Sequence, residues 1–359
     1  MKNKVKVIQL IDSLNPGGAE MMAVNIANGL ADKGVQSHIC VTRLEGSLKS
    51  KIASSVGYLF LNKKNILDLK ALKKLNKYIR ENKIGIIHAH SSSYFFAFLI
   101  KIRIPKVKII WHDHYGYSEN LLNRSKFPLN LISNSFYAII SVNNLLEQWS
   151  KRYLKTKNVY FIPNFASLGM NIPKITFLSG KEGKKIVCLA NLRPQKDHLN
   201  LLRAFEIVHK QYLDWTLHLV GLDLKDTYST KIKNFITEKK LVNSVFLYNS
   251  CADTAHILAQ ATIGVLASKS EGLPVSLLEY GLVKLPVVIT NVGDCNKVVQ
   301  NKVNGLLVEP TNDEKLAGAI IKLIANSELR MNLGANLCEN VRRNFSKENY
   351  ISKLINIYN

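Results

Sequence analysis

The chain has 359 residues, of which 47% are apolar and 21% are charged. This composition is ordinary for a globular protein and argues against intrinsic disorder, and the length predicts two domains. Every apolar stretch is far shorter than the roughly 18 residues of a membrane-spanning helix. The N-terminus runs into a strand-like segment without the apolar core and cleavage site of a signal peptide, so no signal peptide is expected.

The net charge of +23 is concentrated in the first half of the chain. Residues 1–165 contain 25 Lys and Arg against 9 Asp and Glu, a net charge of +16, whereas residues 166–359 carry +7. A basic surface attracts the phosphate groups of nucleic acids, anionic lipids or phosphorylated substrates. Solvated, lysine-rich helix faces such as 70–77 are an equally good explanation for part of the excess.

The five cysteines are widely spaced, and none forms a CxxC pair. An odd number without paired spacing favours free thiols over a disulfide framework or a zinc site. Free thiols are typical of a reducing compartment, so we expect a cytoplasmic protein.

Short apolar strands alternate with helical patterns along the whole chain, which is typical of α/β proteins with parallel sheets. In the first half, strands are predicted at 5–12, 37–42, 56–61, 84–90, 107–111, 138–142 and 159–164, and helices at 21–30, 67–81, 94–101 and from 143. In the second half, strands are predicted at 185–190, 215–220, 244–248, 263–266, 286–290 and 305–308, and helices at 201–210, 230–239, 254–260, from 275, and at 313–325, 328–345 and 350–358. Residues 166–183 show little periodicity and are predicted to link a domain at 1–165 to a domain at 184–345.

The most informative segment is 263–281, which reads as a buried strand, a polar turn and a helix that Pro274 is suited to begin. Ligands of such sheets bind beyond the carboxyl ends of the strands. Glu271 lies in the turn, near the positive end of the helix dipole, and Glu279 is predicted about two helical turns further on, roughly 12 Å along the axis. That separation is too wide for one metal ion and suits two polar parts of an elongated ligand. A cap-region glutamate beside an unrelated solvated glutamate is the alternative.

Two loops offer groups that suit phosphates. Arg193 and Lys196 follow the strand at 185–190, and such a pair can neutralise a diphosphate and the charge on a departing nucleoside diphosphate. Surface cations are the alternative.

Gly17 and Gly18 form a turn before the first helix, which suits an anion or close backbone approach. The turn is not GxGxxG, so a dinucleotide fingerprint is not supported, and a plain tight turn is the alternative.

Several strands of the first half end in polar side chains, where a ligand crevice would collect them. The candidates are His90, His112, His114, Asn143 and Asn164. If the strand continues that far, His112 and His114 point to the same side and Asp113 to the other. We expect polar lining of a crevice, with one histidine facing a substrate, rather than a metal site.

In their order and spacing, these segments resemble a GT-B retaining glycosyltransferase of glycosyltransferase family 4. The resemblance extends over nearly the whole chain, through 16–20, 87–91, 162–164 and 191–196. It is most specific at 270–279, which matches the E-x7-E element of the family.

The resemblance implies an α/β protein with two Rossmann-like, doubly wound domains that face a central cleft. The N-terminal domain would be the acceptor side and the C-terminal domain the nucleotide-sugar donor side. The last helix, 346–359, would return to the N-terminal domain. Many relatives have Ala-Met after the second glutamate, where this chain has Tyr280 and Gly281.

The resemblance also implies roles for individual residues. Glu271 and His114 would be catalytic and would face the transferred sugar. Arg193 and Lys196 would hold the diphosphate of the donor, and Glu279 would hold its ribose. The backbone of Gly272 and Leu273 would lie near the sugar. Gly17 and Gly18 would lie near the donor phosphate or the acceptor. His90, His112, Asn143 and Asn164 are candidate acceptor or cleft residues. Members of the family work without a bound metal, so neither a metal nor a cofactor is expected.

The implied activity is transfer of a hexosyl group, with retention, from a nucleotide-sugar that we expect to be UDP-linked. The acceptor would be a glycan or a lipid-linked molecule in cell-surface polysaccharide synthesis. The basic first domain suggests peripheral docking on the anionic inner face of the cytoplasmic membrane. Alternatives are a hydrolysing sugar-nucleotide epimerase of the same architecture, a nucleic-acid-binding protein and an inactive carbohydrate-binding relative. No nucleic-acid-binding motif is recognisable, so a nucleic-acid partner is not expected.

Overall fold

The computed structural model describes residues 5–116, 118–168 and 173–359. The chain forms two compact units, Met1–Phe165 with Lys347–Asn359 and Ala166–Ser346. Each unit is a parallel sheet flanked by helices. The strands are largely apolar because a parallel sheet covered by helices is buried on both faces.

The first unit is built on a seven-stranded sheet in the order β3-β2-β1-β4-β5-β6-β7. Its strands are β1 (Lys6–Ser13), β2 (Gln36–Leu44), β3 (Gly57–Phe60), β4 (Ile86–His90), β5 (Lys108–Asp113), β6 (Ala138–Ser141) and β7 (Val159–Phe161). The helices that precede β7 in the chain are α1 (Gly18–Asp32), α2 (Leu69–Glu81), α3 (Tyr94–Arg103), α4 (Leu129–Ile132) and α5 (Asn144–Tyr153).

The second unit is built on a six-stranded sheet in the order β10-β9-β8-β11-β12-β13. Its strands are β8 (Lys185–Leu189), β9 (Thr216–Val220), β10 (Val245–Tyr248), β11 (Ile263–Leu266), β12 (Val287–Thr290) and β13 (Leu306–Val308). Its helices are α6 (His198–Gln211), α7 (Thr227–Glu238), α8 (Thr254–Ala259), α9 (Val275–Leu282), α10 (Cys295–Val298), α11 (Asp313–Ala325) and α12 (Ser327–Asn344), and α13 (Lys347–Tyr358) follows in the first unit.

Both sheets are doubly wound, and each has one point at which the strand order reverses. In the first unit this point lies between β1 and β4, and in the second between β8 and β11. The loops that leave the two strands at such a point diverge to opposite sides of the sheet, and ligands bind in the crevice between them. The glycine turn at 17–18 follows β1, and the loops at 191–196 and 267–274 follow β8 and β11, so these segments lie at the two reversal points.

Helix α2 explains part of the positive charge of the first unit. Its buried face consists of apolar residues, including Leu72, Leu75 and Ile79, while Lys73 and Lys77 are exposed. The Asp68 carboxylate caps the helix by accepting from the backbone N–H of Ala71 at 3.0 Å. The lysines here form a solvated helix face, as expected from the amphipathic pattern.

The predicted linker, 166–183, belongs to the second unit, although its residues 169–172 lie outside the described part of the chain. The backbone N–H groups of Ile175 and Thr176 donate to Asp253 Oδ2 at 2.9 and 2.8 Å. Leu178 is buried, and its carbonyl accepts from Lys185 Nζ at 2.8 Å. These contacts attach the segment to the second unit. They also give hydrogen-bonding partners to backbone groups of the segment, which such groups need where water is excluded.

Helix α13 packs in the first unit although it is the last element of the chain. The rings of Tyr350 and Phe165 lie 4.7 Å apart, and the Tyr358 hydroxyl lies 2.6 Å from His88 Nδ1. A Cβ on Gly29 of α1 would lie 2.8 Å from Ile351, so glycine allows the two helices to approach closely. The C-terminus is thereby joined to strand β4.

Candidate functional site

The loops after β8 and β11 meet at the reversal point of the second sheet. The backbone N–H of Lys269 donates to the Gln195 carbonyl at 2.7 Å, which joins the two loops directly. Lys196 Nζ lies 2.6 and 2.7 Å from the two carboxylate oxygens of Glu271. A cation and a carboxylate that are 75 residues apart in sequence therefore form one ion pair at the expected ligand edge of the sheet.

The Glu271 carboxylate is held on several sides. It is 6% exposed, and Ser268 Oγ donates to its Oε1 at 2.6 Å. Gly293, at φ +53°, packs against its backbone so closely that a Cβ would lie 2.1 Å from the Glu271 carbonyl oxygen. The backbone N–H of Asp294 donates to the Gly272 carbonyl at 2.9 Å. The carboxylate is therefore a fixed hydrogen-bond acceptor rather than a mobile surface group.

Arg193 precedes a 3₁₀ turn at Pro194–Lys196 and is exposed. Asp197 ends this turn at φ +47° and lies 3.3 Å from Lys269 Nζ. Arg193 forms no salt bridge with any residue of the ranges that the structure describes. Its guanidinium therefore lies at the surface of the loop that also carries Lys196, where it is accessible to an anionic ligand.

Glu279 lies closer to the start of its helix than predicted. Helix α9 begins at Val275, with Pro274 in the position before it, so Glu279 is about one turn into the helix rather than two. The predicted separation of roughly 12 Å along the helix axis is therefore wrong, because Glu271 lies in the loop before the helix. Glu279 is 5% exposed, which argues against the alternative of a solvated glutamate.

Tyr280, which departs from the Ala-Met of many relatives, has a structural role. It is fully buried, and its hydroxyl accepts from the backbone N–H of Leu189 at 2.7 Å, at the end of β8. A Cβ on Gly264 would lie 2.8 Å from the Tyr280 ring, so the glycine in β11 leaves room for it. Tyr280 thus attaches the helix of Glu279 to the strand that leads to Lys196.

Cys188 is buried in β8, near enough to Lys196 and Glu271 for their charges to affect its thiol. Burial raises the pKa of its thiol to about 12, an effect that Lys196 opposes and Glu271 adds to. The thiol therefore stays protonated at neutral pH and cannot act as a thiolate nucleophile.

In the first unit, strands β4 and β5 present a cluster of histidines: His88, His90, His112 and His114. His90 and His112 are register partners, and the ring centroids of His112 and His114 lie 3.9 Å apart. His112 and His114 therefore point to the same side, as predicted, while Asp113 on the opposite side binds Arg124 at 2.6 Å. His88, His90 and His112 are buried, and His114 is partly exposed at the end of the cluster.

Nitrogen atoms of His88, His90 and His112 lie within 4.8 Å of one another, close enough to suggest a metal site. Both nitrogens of His90 are already engaged, Nδ1 with His114 at 3.0 Å and Nε2 with Gln9 at 2.9 Å. A metal would have to displace one of these hydrogen bonds. Within the cluster, His90 is therefore interpreted as a hydrogen-bonded residue rather than a metal ligand, and the absence of a metal stays a prediction.

Gly17 and Gly18 lie at the start of α1, after β1. A Cβ on Gly18 would meet nothing within 4 Å, and one on Gly17 would meet only the flexible end of Glu20. The packing of the protein therefore does not require glycine at position 18. Nearby, Ser92 Oγ donates to Asp12 Oδ2 at 2.7 Å, which joins the turn after β4 to the end of β1 at the reversal point of this sheet.

The two candidate asparagines are both buried. Asn143 caps α5, since its side-chain oxygen accepts from the backbone N–H of Leu146 at 2.8 Å. Asn164 is 4% exposed and lies just after β7. The cap accounts for Asn143 structurally, and a ligand role for either residue stays a prediction.

Sequence reasoning missed two side chains that hold the candidate residues in place. Ser268 bonds Glu271, and Gln9 bonds His90. A signal was present for Gln9, because it is a polar residue within an apolar strand and is fully buried. Such a residue needs a hydrogen-bonding partner in the core.

The sequence of the chain is similar to those of known protein families and individual proteins. The model of Glycosyltransferase Family 4 matches residues 16–168, and that of Glycosyl transferases group 1 matches residues 174–338. An uncharacterised glycosyltransferase of Methanocaldococcus jannaschii is 33% identical over 268 residues, 69% of this chain and 74% of that protein. An Escherichia coli UDP-Gal:alpha-D-GlcNAc-diphosphoundecaprenol alpha-1,3-galactosyltransferase is 25% identical over 319 residues, 82% of this chain and 80% of that one.

Solved structures show the same fold. Anabaena HepE in complex with UDP and glucose has a TM-score of 0.79 at 18% identity, covering 98% of both chains. TarM from S. aureus, in complex with UDP and other ligands, has a TM-score of 0.81 at 17% identity, covering 99% of this chain and all of that one. These likenesses confirm the predicted α/β GT-B fold of two domains. The sequence relatives do not favour the epimerase alternative. The two family models and the 33% identical relative show that the chain belongs to the glycosyltransferases of the family 4 type.

Proposed function

We propose that this glycosyltransferase moves a hexose, with retention, from a UDP-sugar to a glycan or lipid-linked acceptor in cell-surface polysaccharide synthesis. The observation that carries the proposal is the Lys196–Glu271 pair at the reversal point of the second sheet. In this proposal the pair supplies a cation for a diphosphate beside a carboxylate for sugar hydroxyls, and a nucleotide-sugar needs both.

The names of relatives support the donor and the acceptor. Besides the Escherichia coli enzyme, they include a poly(ribitol-phosphate) alpha-N-acetylglucosaminyltransferase of Staphylococcus aureus and an N-acetyl-alpha-D-glucosaminyl L-malate synthase of Bacillus anthracis. Each name specifies an alpha-linked sugar. An alpha-linked donor that yields an alpha-linked product keeps its anomeric configuration, which is the basis for proposing retention.

In the proposed step, the acceptor hydroxyl oxygen bonds to the anomeric carbon as the bond from that carbon to the diphosphate oxygen breaks. The nucleoside diphosphate leaves with the electron pair, and its phosphate oxygen takes the proton of the hydroxyl. Lys196 and Arg193 stabilise the negative charge that develops on the diphosphate. A lysine ammonium has three N–H donors. The two carboxylate oxygens of Glu271 accept hydrogen bonds from Lys196 Nζ, which leaves one N–H for a phosphate oxygen.

The remaining roles follow the family resemblance. Glu271 and His114 contact the transferred sugar, Glu279 holds the ribose, and Gly272 and Leu273 contribute backbone groups near the sugar. Because Lys196 and Arg193 supply the positive charge, the reaction requires neither a metal nor a cofactor in this proposal. Activity that persists in excess EDTA would agree with it.

Binding of the donor is the first test. A nucleotide-sugar at about 100 times its dissociation constant should stabilise the protein by about 2.7 kcal/mol. Replacing Glu279 with alanine removes the buried carboxylate proposed to hold the ribose, and a tenfold weaker ligand would stabilise by only about 1.4 kcal/mol. Thermal unfolding with UDP-glucose, UDP-galactose and their N-acetyl forms measures this difference.

Glu238→Ala is the matched control, since Glu238 is exposed in the last turn of α7. Its response to the same UDP-sugar should equal that of the wild type. An equal response of Glu279→Ala would remove the ribose assignment. Product analysis with a labelled donor separates transfer from epimerisation, because an epimerase needs no acceptor.

Peripheral association with an anionic membrane is proposed for the first unit. Across the described ranges, no helix combines the length and apolar character needed to cross a bilayer. Leu122, Phe127 and Leu131 are 93%, 71% and 58% exposed within one ten-residue segment of the basic first unit. Exposed apolar side chains among cations suit an anionic lipid surface, where each Lys or Arg contributes about 1 kcal/mol.

Co-sedimentation with phosphatidylglycerol-containing vesicles at low salt tests this association. Replacing Leu122, Phe127 and Leu131 together with serine should release most of the bound protein. Leu213→Ser is the control, because Leu213 is 76% exposed in the less basic second unit. Equal binding of the wild type to neutral and anionic vesicles would contradict the proposal.

A further inference from the structure

A chain of hydrogen bonds leads from His114 into the core of the first unit. His114 Nε2 lies 3.0 Å from His90 Nδ1, and His90 Nε2 lies 2.9 Å from Gln9 Oε1. These residues come from three adjacent strands, β5, β4 and β1, or directly follow them. Gln9 and His90 are at most 1% exposed, so water does not compete for these bonds.

A second hydrogen bond beside this chain joins the histidine cluster to the C-terminal helix. The Gln9 side chain opposes the rise in pKa that burial causes in the Tyr358 hydroxyl, so the two side chains lie near each other. The Tyr358 hydroxyl in turn lies 2.6 Å from His88 Nδ1. In this structure the glutamine directs its carbonyl oxygen, Oε1, to His90 Nε2.

This orientation determines which ring nitrogens carry protons. A neutral imidazole has one N–H donor and one lone pair. The Gln9 carbonyl oxygen only accepts, so His90 Nε2 must carry the proton and His90 Nδ1 must be the lone pair. His114 Nε2 must then donate, which leaves the lone pair of His114 on Nδ1.

All members of the chain are neutral at physiological pH. Burial lowers the pKa of His90 well below its usual value, and it also lowers the pKa of the partly exposed His114. Burial likewise lowers the pKa of His88 to about 3. The donor and acceptor pattern is therefore not disturbed by protonation between pH 6 and 8, a range that lies above these values.

We propose that Gln9 and His90 are positioning residues that hold His114 in its Nε2–H form, so that His114 Nδ1 accepts a hydrogen bond from a sugar hydroxyl. This rests on the proposed function, in which His114 contacts a sugar. A bare lone pair accepts from a hydroxyl but repels a phosphate oxygen, so the chain of bonds selects the sugar part of a ligand at this position. It also explains why a polar glutamine lies in the apolar strand β1.

Nuclear magnetic resonance of the full chain labelled with ¹⁵N-histidine tests the inference without substrate. Long-range ¹H–¹⁵N correlations distinguish a protonated ring nitrogen from a lone-pair nitrogen, and loss of one spin system in His114→Gln assigns His114. The wild type should show a single Nε2–H form. A protonated His114 Nδ1 in the wild type would overturn the proposal.

Gln9→Met removes the acceptor while keeping a side chain of similar length. We expect His114 to become a mixture of both tautomers, and kcat to fall in proportion to the fraction that leaves the Nε2–H form. Gln260→Met is the control, because Gln260 is a partly buried glutamine that bonds Leu178 and Thr176 in the second unit. It should leave the His114 signals unchanged. A Gln9→Met protein with an unchanged His114 tautomer would contradict the positioning role.

A titration with a UDP-sugar separates this inference from the proposed function. A ligand that raises the unfolding temperature and shifts the His114 Nδ1 resonance supports both. A ligand that raises the unfolding temperature without moving that resonance overturns the sugar-facing role of His114 and leaves donor binding intact. If no UDP-sugar binds, the proposed donor is wrong, while the tautomer in the free protein still reports on Gln9 and His90.

Discussion

Replacing Lys196 with methionine is expected to lower kcat for sugar transfer about 100- to 1,000-fold, the usual effect of removing one preorganised group that stabilises developing charge. The methionine keeps much of the length of the side chain but removes the ammonium that lies 2.6 Å from Glu271. The diphosphate would then leave without its nearest fixed cation. Steady-state kinetics with the donor identified by thermal unfolding measure the loss.

A double variant separates this catalytic role from a structural one. Lys196→Met alone leaves the buried Glu271 charge without its cation, which also lowers stability. Lys196→Met with Glu271→Gln removes both charges, so it should recover stability but not activity. Lys233→Met is the control, because Lys233 forms an exposed pair with Asp223 at 2.6 Å, and such pairs contribute at most about 1 kcal/mol. A double variant with restored activity would show that the pair is only structural.

Replacing Arg124 with methionine is expected to lower the free energy of unfolding of the first unit by about 3–5 kcal/mol. The Asp113 side chain is 2% exposed, and its carboxylate receives two bonds from Arg124, at 2.6 and 2.9 Å. The guanidinium also lies 4.2 Å from the centre of the Trp149 ring. Removing the cation leaves a buried carboxylate without its partner, directly before His114.

Urea unfolding followed by tryptophan fluorescence measures this effect, since Trp111 and Trp149 both lie beside Arg124. Arg152→Met is the control, because Arg152 is exposed and rests over the Tyr153 ring at 5.3 Å. Its effect should stay within about 0.5 kcal/mol. Asp113→Asn with Arg124→Met should recover part of the loss, since no charge is then left unpaired. A loss below about 1 kcal/mol for Arg124→Met alone would contradict the importance of the buried pair.

Much of the local structure was predictable because it depends on short-range patterns. Strand β11 has the predicted bounds, and the helix predicted at 313–325 is α11. The segment 118–135 was left unassigned, and it contains only 3₁₀ turns and the four-residue helix α4. Elements of this length are too short to show a hydrophobic period. They are stabilised by contacts such as Arg124 with Asp113, which no local pattern reveals.

The sequence by itself determined the alternation of strands and helices, the family resemblance and the candidate residues at the strand ends. Only the tertiary structure decided which of these residues meet. Lys196 reaches Glu271, and His114 connects through His90 to Gln9, because the sheets reverse their strand order between β8 and β11 and between β1 and β4. Strand neighbours far apart in sequence are chosen by the burial of whole sheet faces, a property of the assembled core rather than of any one segment.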